Sequence, residues 1–240
     1  MHLLIVFIFL FGAVFAVFGF VKGIRLFTQD PEAFYATEEE NDFVSKATEK
    51  KTFSDEISLA KISPRDHIRG RRDAAIILVE FVDLECPFCK SFHGTLQRVM
   101  EQYSREEVAW VYRHFPIDSI HPKAVKEAVA AECVAMLKDE KAFWDYIDAI
   151  FEITPSNNGF DVSTLPQMAE QLGVDRVKFE QCLVSGQFDG KVKNEVIQAL
   201  AAGATSTPYT VVMVGDERIP LIGEQSFEEM KTLLDSLLEK

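Results

Sequence analysis

The chain has 240 residues, 48% hydrophobic and 26% charged, enough for one full-sized folded domain with accessory segments. With 38 Asp and Glu against 25 Lys and Arg, the net charge is −13. That excludes nucleic acid as a partner, since no basic stripe is available to offset the phosphates; beyond this, acidity is a solubility property.

Residues 3–21, LLIVFIFLFGAVFAVFGFV, carry no charge and are followed by Lys22 and Arg25. A helix needs roughly 20 such residues to cross a bilayer core, so 3–21 is expected to be a retained single-pass transmembrane anchor. The other reading is a cleaved signal peptide. Such peptides have apolar cores of about 7–15 residues behind a basic region, and only Met1 and His2 precede this run. By the positive-inside rule, Lys22 and Arg25 would keep the rest of the chain in the cytoplasm, so the anchor alone leaves the orientation open. Residues 28–60 are of mixed charge and poor in periodic apolar residues, which predicts a flexible linker with a reach of roughly 30 Å.

The folded domain is expected over 62–240. AAIILVEFV, 74–82, is a continuous apolar, β-rich run that suits a strand buried on both faces. After it, Phe92, Leu96, Val99 and Tyr103 recur at helical spacing, and VAWVYRHF predicts a second strand, giving a βαβ unit. From about 120 to 204 the pattern is helical. HPKAVKEAVAAECVAMLK and KAFWDYIDAIFEI are amphipathic, 155–159 reads as a loop, Gly173 and Gly186 as helix stops, and Asp175 as an N-cap. Strands return at 211–214 and 218–222 around Gly215-Asp216-Glu217, a β-hairpin, and SFEEMKTLLDSLLEK closes the chain as a helix. The order βαβ, helical block, ββα describes an α/β fold whose small mixed sheet is interrupted by a helical subdomain.

Four cysteines are present: Cys86, Cys89, Cys133 and Cys182. A structural zinc site uses paired ligands such as CxxC…CxxC, whereas here one pair stands with two widely separated single residues. The Cys86-Pro87-Phe88-Cys89 pair follows a buried strand where a helix begins. Pro87 suits the first helical turn, which needs no N–H partner, and the free N–H groups and dipole of that turn stabilise a thiolate on Cys86. A lowered pKa makes this sulfur more thiolate and a better leaving group. Cys89, one turn on, is expected to be the buried resolving thiol. A passive disulfide gains little from closing so short a loop. Redox chemistry is therefore the reading of this pair.

The pieces VEFVDLECPFC, YRHFPI, AAECVAMLKDEKAFWDYIDAIF, FEQCLVSG and STPYTVVMVGDERIPLIG span nearly all of 62–238. Together they resemble the DsbA-like thiol–disulfide oxidoreductases, which have a thioredoxin fold with an inserted helical domain. The resemblance implies extracytoplasmic dithiol exchange with protein substrates. Thr207-Pro208 matches the family's cis-proline loop, which faces the CxxC and pairs with a bound substrate strand. Glu80, six residues before Cys86, matches the buried acid that relays a proton for the inner cysteine; an ordinary surface glutamate is the other reading. Cys133 and Cys182 match a structural disulfide carried by some members, a bond that persists only in an oxidising compartment. On that ground the domain is placed outside the cell membrane.

Where strongly oxidising relatives often carry a histidine between the cysteines, this chain has Phe88, with the acids Asp83 and Glu85 nearby. A less acidic Cys86 and a milder oxidant are expected. His93 and His114 are read as solvated or packed, and Phe143, Trp144 and Phe151 as core. The expected function is a membrane-tethered enzyme that introduces disulfides into extracytoplasmic proteins. It needs no metal and no cofactor beyond the Cys86–Cys89 disulfide. Its expected partners are unfolded or partly folded clients with cysteines, together with a membrane redox protein that recycles the pair; a monomer is expected. The alternatives are a reductase or isomerase of the same fold, and a non-catalytic tethered chaperone or binding module.

Overall fold

The computed structural model describes residues 57–239. The expected anchor at 3–21, and the expected linker up to residue 56, lie outside these. Among the described residues no helix is long and apolar enough to cross a membrane.

β2 (Ile76–Val82) and β3 (Val108–His114) are the centre of the sheet, and every residue of both is buried. They run parallel, joined by α1 (Pro87–Gln102). Continuous apolar strands are what a parallel pair covered on both faces requires. β4 (Tyr209–Val214) adds antiparallel to β2, and β5 (Glu217–Ile222) to β4. β1 (His67–Arg69) pairs antiparallel with β3, giving the order β1-β3-β2-β4-β5. Even-numbered residues of β2, β3 and β4 face α1, the closing helix α7 (Phe227–Leu238) and most of the helical subdomain. Odd-numbered residues face α6 (Asp189–Ala201) through Val196, Ala199 and the C-cap Ala202.

The helical subdomain is α2 (Ala124–Leu137), α3 (Glu140–Ile153), a 3-10 turn (Val162–Thr164), α4 (Leu165–Gln171), α5 (Arg176–Leu183) and α6. Its starts carry their own signals. Asp139 accepts from Ala142 N–H at α3 and Asp175 from Lys178 N–H at α5. Phe143, Trp144 and Phe151 are all core residues. Cys133 on α2 and Cys182 on α5 are joined by a disulfide.

Three expectations change. β1 was not foreseen: three residues, His-Ile-Arg, show no alternation, and the strand exists because β3 offers an edge and α3 offers partners for its polar side chains. The linker ends earlier than residue 60, since Ile57 and Leu59 pack on the odd face of the sheet and the Ala60 carbonyl accepts from Arg113. Apolar residues two apart on an extended chain present one side, which suffices to seal that edge. The hairpin turn is tighter than expected: Val214 pairs with Glu217, leaving Gly215 at φ +53° and Asp216 to make the reversal.

Candidate active site

The chain leaves β2 at Val82, turns through Asp83, Leu84 and Glu85, and enters α1 at Pro87. Cys86 is the N-cap, in extended conformation, with its side chain making no cap hydrogen bond. Its sulfur is therefore left for other chemistry. The hydrogen bond from the Cys89 thiol, joined by Thr207 and by the N–H groups of Cys89 and Phe88, holds Cys86 down at about 6 in spite of burial. Cys89, one turn into α1, is fully buried. Burial, together with the neighbouring Cys86 and Glu80, pushes its thiol well above the ordinary range. Two thiols three positions apart in a motif are thus split into an outer anion and an inner acid.

Asp83 and Glu85 do not prevent that lowering. Asp83 is buried and turned inward, where one oxygen accepts from Glu85 N–H at 2.8 Å. The other accepts from Ile117 N–H at 2.8 Å and pairs with His121 Nδ1 at 2.8 Å. The Asp83 carboxylate raises the His121 pKa, so the negative charge is matched 38 positions away in sequence. Glu85 is buried against Glu127 of α2. Burial and the neighbouring Glu85 carboxyl push Glu127 up to about 9. Neither His121 nor Glu127 carries a local signal that would have marked it.

The Thr207-Pro208 bond is cis, and Cys86 Sγ lies 3.4 Å from the Thr207 carbonyl, to which its protonated form donates. The loop before β4 thus stands directly against the outer sulfur. On the other side, Asn157 N–H donates to the Glu85 carbonyl at 2.8 Å, and Lys90 Nζ donates to the Thr154 carbonyl at 2.6 Å. This strap holds Ser156, Asn157 and Asn158 in succession at φ of 61°, 50° and 64°. Such a run of left-handed non-glycine residues persists only where the surroundings over-determine it. Phe88 (57% exposed) and Ile120 (58%) project to solvent.

Glu80 lies beneath the pair on β2 and is fully buried, which removes the surface reading. The Trp110 indole N–H donates to one of its oxygens at 2.9 Å. Burial raises its pKa to about 8, so it is protonated at neutral pH and within range of exchange with a thiol. His93 and His114 are packed, His93 Nε2 against Asp148 at 2.7 Å and His114 Nε2 against Glu132 at 3.1 Å.

Residues 62–236 match the family model described as Thioredoxin. Among curated proteins, Na(+)/H(+) antiporter NhaA 3 of Salinispora tropica is 31% identical over 148 residues, 60% of this chain and 21% of the antiporter. The chain spans about a fifth of the length of the curated relatives it matches. Among solved structures, DsbA2 of Pseudomonas aeruginosa is 28% identical with a TM-score of 0.61, covering 74% of this chain and 97% of that one. Alpha-DsbA1 of Wolbachia pipientis is 21% identical with a TM-score of 0.64 over 74% of this chain and 93% of its own, a likeness of fold.

Proposed function

Because the chain belongs to the thioredoxin family across residues 62–236, we propose that it is a thiol–disulfide oxidoreductase that donates the Cys86–Cys89 disulfide to client proteins outside the cell membrane. It is an oxidoreductase, and the likeness to DsbA2 supports disulfide handling in particular. The observation that carries the donor direction is the split between the two thiols. A stable Cys86 thiolate stabilises the reduced pair, and a stable reduced pair makes the disulfide an oxidant.

In the first step a client thiolate attacks Cys86 Sγ. The Cys86–Cys89 bond breaks, its electron pair leaves on Cys89, and Cys89 takes the proton held by Glu80. A second client thiolate then attacks the client sulfur of the mixed disulfide and expels Cys86 as a thiolate. The client leaves oxidised, and the enzyme holds a dithiol. The cis Thr207-Pro208 loop offers backbone for a client strand beside Cys86, and exposed Phe88 offers an apolar contact. A membrane redox protein returns the pair to the disulfide. Tethering by residues 3–21 belongs to this proposal, and the Cys133–Cys182 bond supports an oxidising compartment.

The deciding experiment is the equilibrium reduction potential of Cys86–Cys89, titrated in glutathione buffers on the full-length chain. A value between about −120 and −180 mV is expected of a donor. A value near about −270 mV, where thioredoxin lies, would make the pair a client reductant and overturn the donor reading. Cys86→Ser separates enzyme from holdase: turnover is lost in the first case, while suppression of aggregation survives in the second.

A further inference from the structure

Glu80 has two cross-strand neighbours, Tyr112 on β3 and Thr210 on β4. Residues opposite one another in register project from the same face, here the face that carries α1 and Cys89. Glu80 and Tyr112 are fully buried and Thr210 is 1% exposed. Each has an oxygen with no hydrogen-bond partner among the described residues: Glu80 Oε1, Tyr112 Oη and Thr210 Oγ1. Buried polar atoms are nearly always satisfied. Three orphans on three adjacent strands in one row therefore make a single feature. None of the three oxygens hydrogen-bonds to another directly, and a water placed between them would satisfy them together.

We infer that Glu80, Tyr112 and Thr210 form one hydrated row beneath Cys89, in which the two hydroxyls, through bridging water, stabilise the Glu80 carboxylate when its proton has gone to the Cys89 sulfur. The inference rests on Cys86–Cys89 exchange being the chemistry. Trp110 already donates to Oε2, so Oε1 is the oxygen that carries the exchanging proton. As the Cys86–Cys89 bond breaks, Cys89 receives the electron pair and the Oε1 proton, leaving a carboxylate that needs donors. In the reverse step, Cys89 attacking a mixed disulfide, the carboxylate takes the proton back.

The groups facing the row explain why neutral donors matter. Cys86 and Cys89 face Glu80 from α1. Tyr112 is acted on by Glu80 and Cys89, by Asp83 from the loop and by Glu195 from α6. The basic group in the set, His114, lies edge-on to the Tyr112 ring and bonds to Glu132 through Nε2. The other ionisable groups acting on the row are acids or thiols, so beyond the Trp110 indole N–H on Oε2 the hydroxyl protons are what remains to stabilise an ionised Glu80. Tyr112 and Thr210 act through Glu80 and are positioning residues.

The test compares Tyr112→Phe and Thr210→Val, which keep shape and delete or replace one hydroxyl, with Glu80→Gln in the full-length reduced chain. Glutamate labelled with carbon-13 at the carboxyl reports the Glu80 titration, identified by its loss in Glu80→Gln. The rate of mixed-disulfide release is followed against pH in parallel. Each hydroxyl variant is expected to raise the Glu80 midpoint by roughly half to one unit, and the pH profile should move with it. In the unsubstituted chain, a long-lived internal water should give a nuclear Overhauser contact to the Thr210 methyl. Unmoved midpoints in both variants, or no such water, would overturn the row even if Glu80→Gln abolishes the pH dependence. A profile unchanged by Glu80→Gln would overturn the relay and the row together, while leaving thiol exchange itself intact.

Discussion

At the scale of single residues, the site works by placing each acid where its surroundings set its charge. Cys86 at a helix start and Cys89 in the core are the same side chain with opposite acidities. Thiolate absorbance at 240 nm should therefore rise with a midpoint near 6, vanish in Cys86→Ser, and move to higher pH in Cys89→Ala, which removes the main donor to the anion. An unmoved midpoint in Cys89→Ala would mean that the helix start alone sets it. Glu80 makes a second prediction through linkage. Its native pKa lies above its unfolded value, so the native state keeps a proton that the unfolded chain has released. The stability it contributes is complete below about pH 4.5 and is lost as pH rises through about 8. Glu80→Gln should flatten that decline and leave the domain more stable than the parent at pH 8 by roughly 3–5 kcal/mol. Urea unfolding at pH 5 and pH 8 measures it; equal slopes in the two proteins would refute the burial argument.

At the scale of elements, the stops and starts that matter are the ones where local chemistry and tertiary need differ. α7 begins on a full capping box, Ser226 with Glu229, and its function is packing. α1 begins on a cysteine that caps nothing, with proline behind it. The ordinary cap is absent where the free N–H groups are wanted by a sulfur. The inserted helices are tied by Cys133–Cys182, a link across 49 positions. In the chain-entropy account such a loop is worth roughly 4 kcal/mol. Replacing both residues with alanine should lower unfolding stability by about that much while leaving the Cys86 titration in place; a loss under about 1 kcal/mol would show that the helices hold without it. Much of this level was legible in advance. Asp175, Gly173 and Gly186 mark helix ends by backbone rules that act over four residues. β1 was not legible, because a three-residue His-Ile-Arg stretch becomes a strand only when β3 presents an edge.

At the scale of the whole molecule, the sheet and the helical subdomain share the buried carboxylate of Glu132. Glu132 Oε1 on α2 takes His67 Nε2 at 3.1 Å, His114 Nε2 at 3.1 Å and Lys191 Nζ at 2.5 Å, and His67 Nδ1 also reaches Glu140 at 2.8 Å. Against burial, the hydrogen bonds from His114 and His67 hold Glu132 well below the carboxylate range. Against burial again, Glu132 and Glu140 raise His67. The Glu132 contribution is present above about pH 4.5 and is lost in acid, whereas the His67 contribution is present below about 6.5 and is lost as pH rises through its native value. The junction is therefore strongest between those limits. Glu132→Gln leaves Lys191 and two histidines facing a neutral group and should cost roughly 3–5 kcal/mol. His67→Gln should remove the decline above about pH 6.5 in the urea midpoint. Persistence of that decline would assign it elsewhere.

The sequence by itself determined what depends on neighbours along the chain. A buried β-branched run ending in Cys86-Pro87-Phe88-Cys89 places two sulfurs at a helix start, because strand, turn and helix signals act over a few residues. The helical block, the hairpin and the caps follow in the same way. Only the tertiary structure decided what those sulfurs meet. Trp110 reaches Glu80 across 30 positions, His121 reaches Asp83 across 38, and the Thr207 carbonyl reaches Cys86 across 121. Glu127 and Tyr112 look like any polar residue in a helix or strand until register and packing bring them beside Glu85 and Glu80. Protonation follows burial and partner, and both are properties of the folded chain: an isolated stretch of sequence exposes every one of these acids to water and leaves them alike.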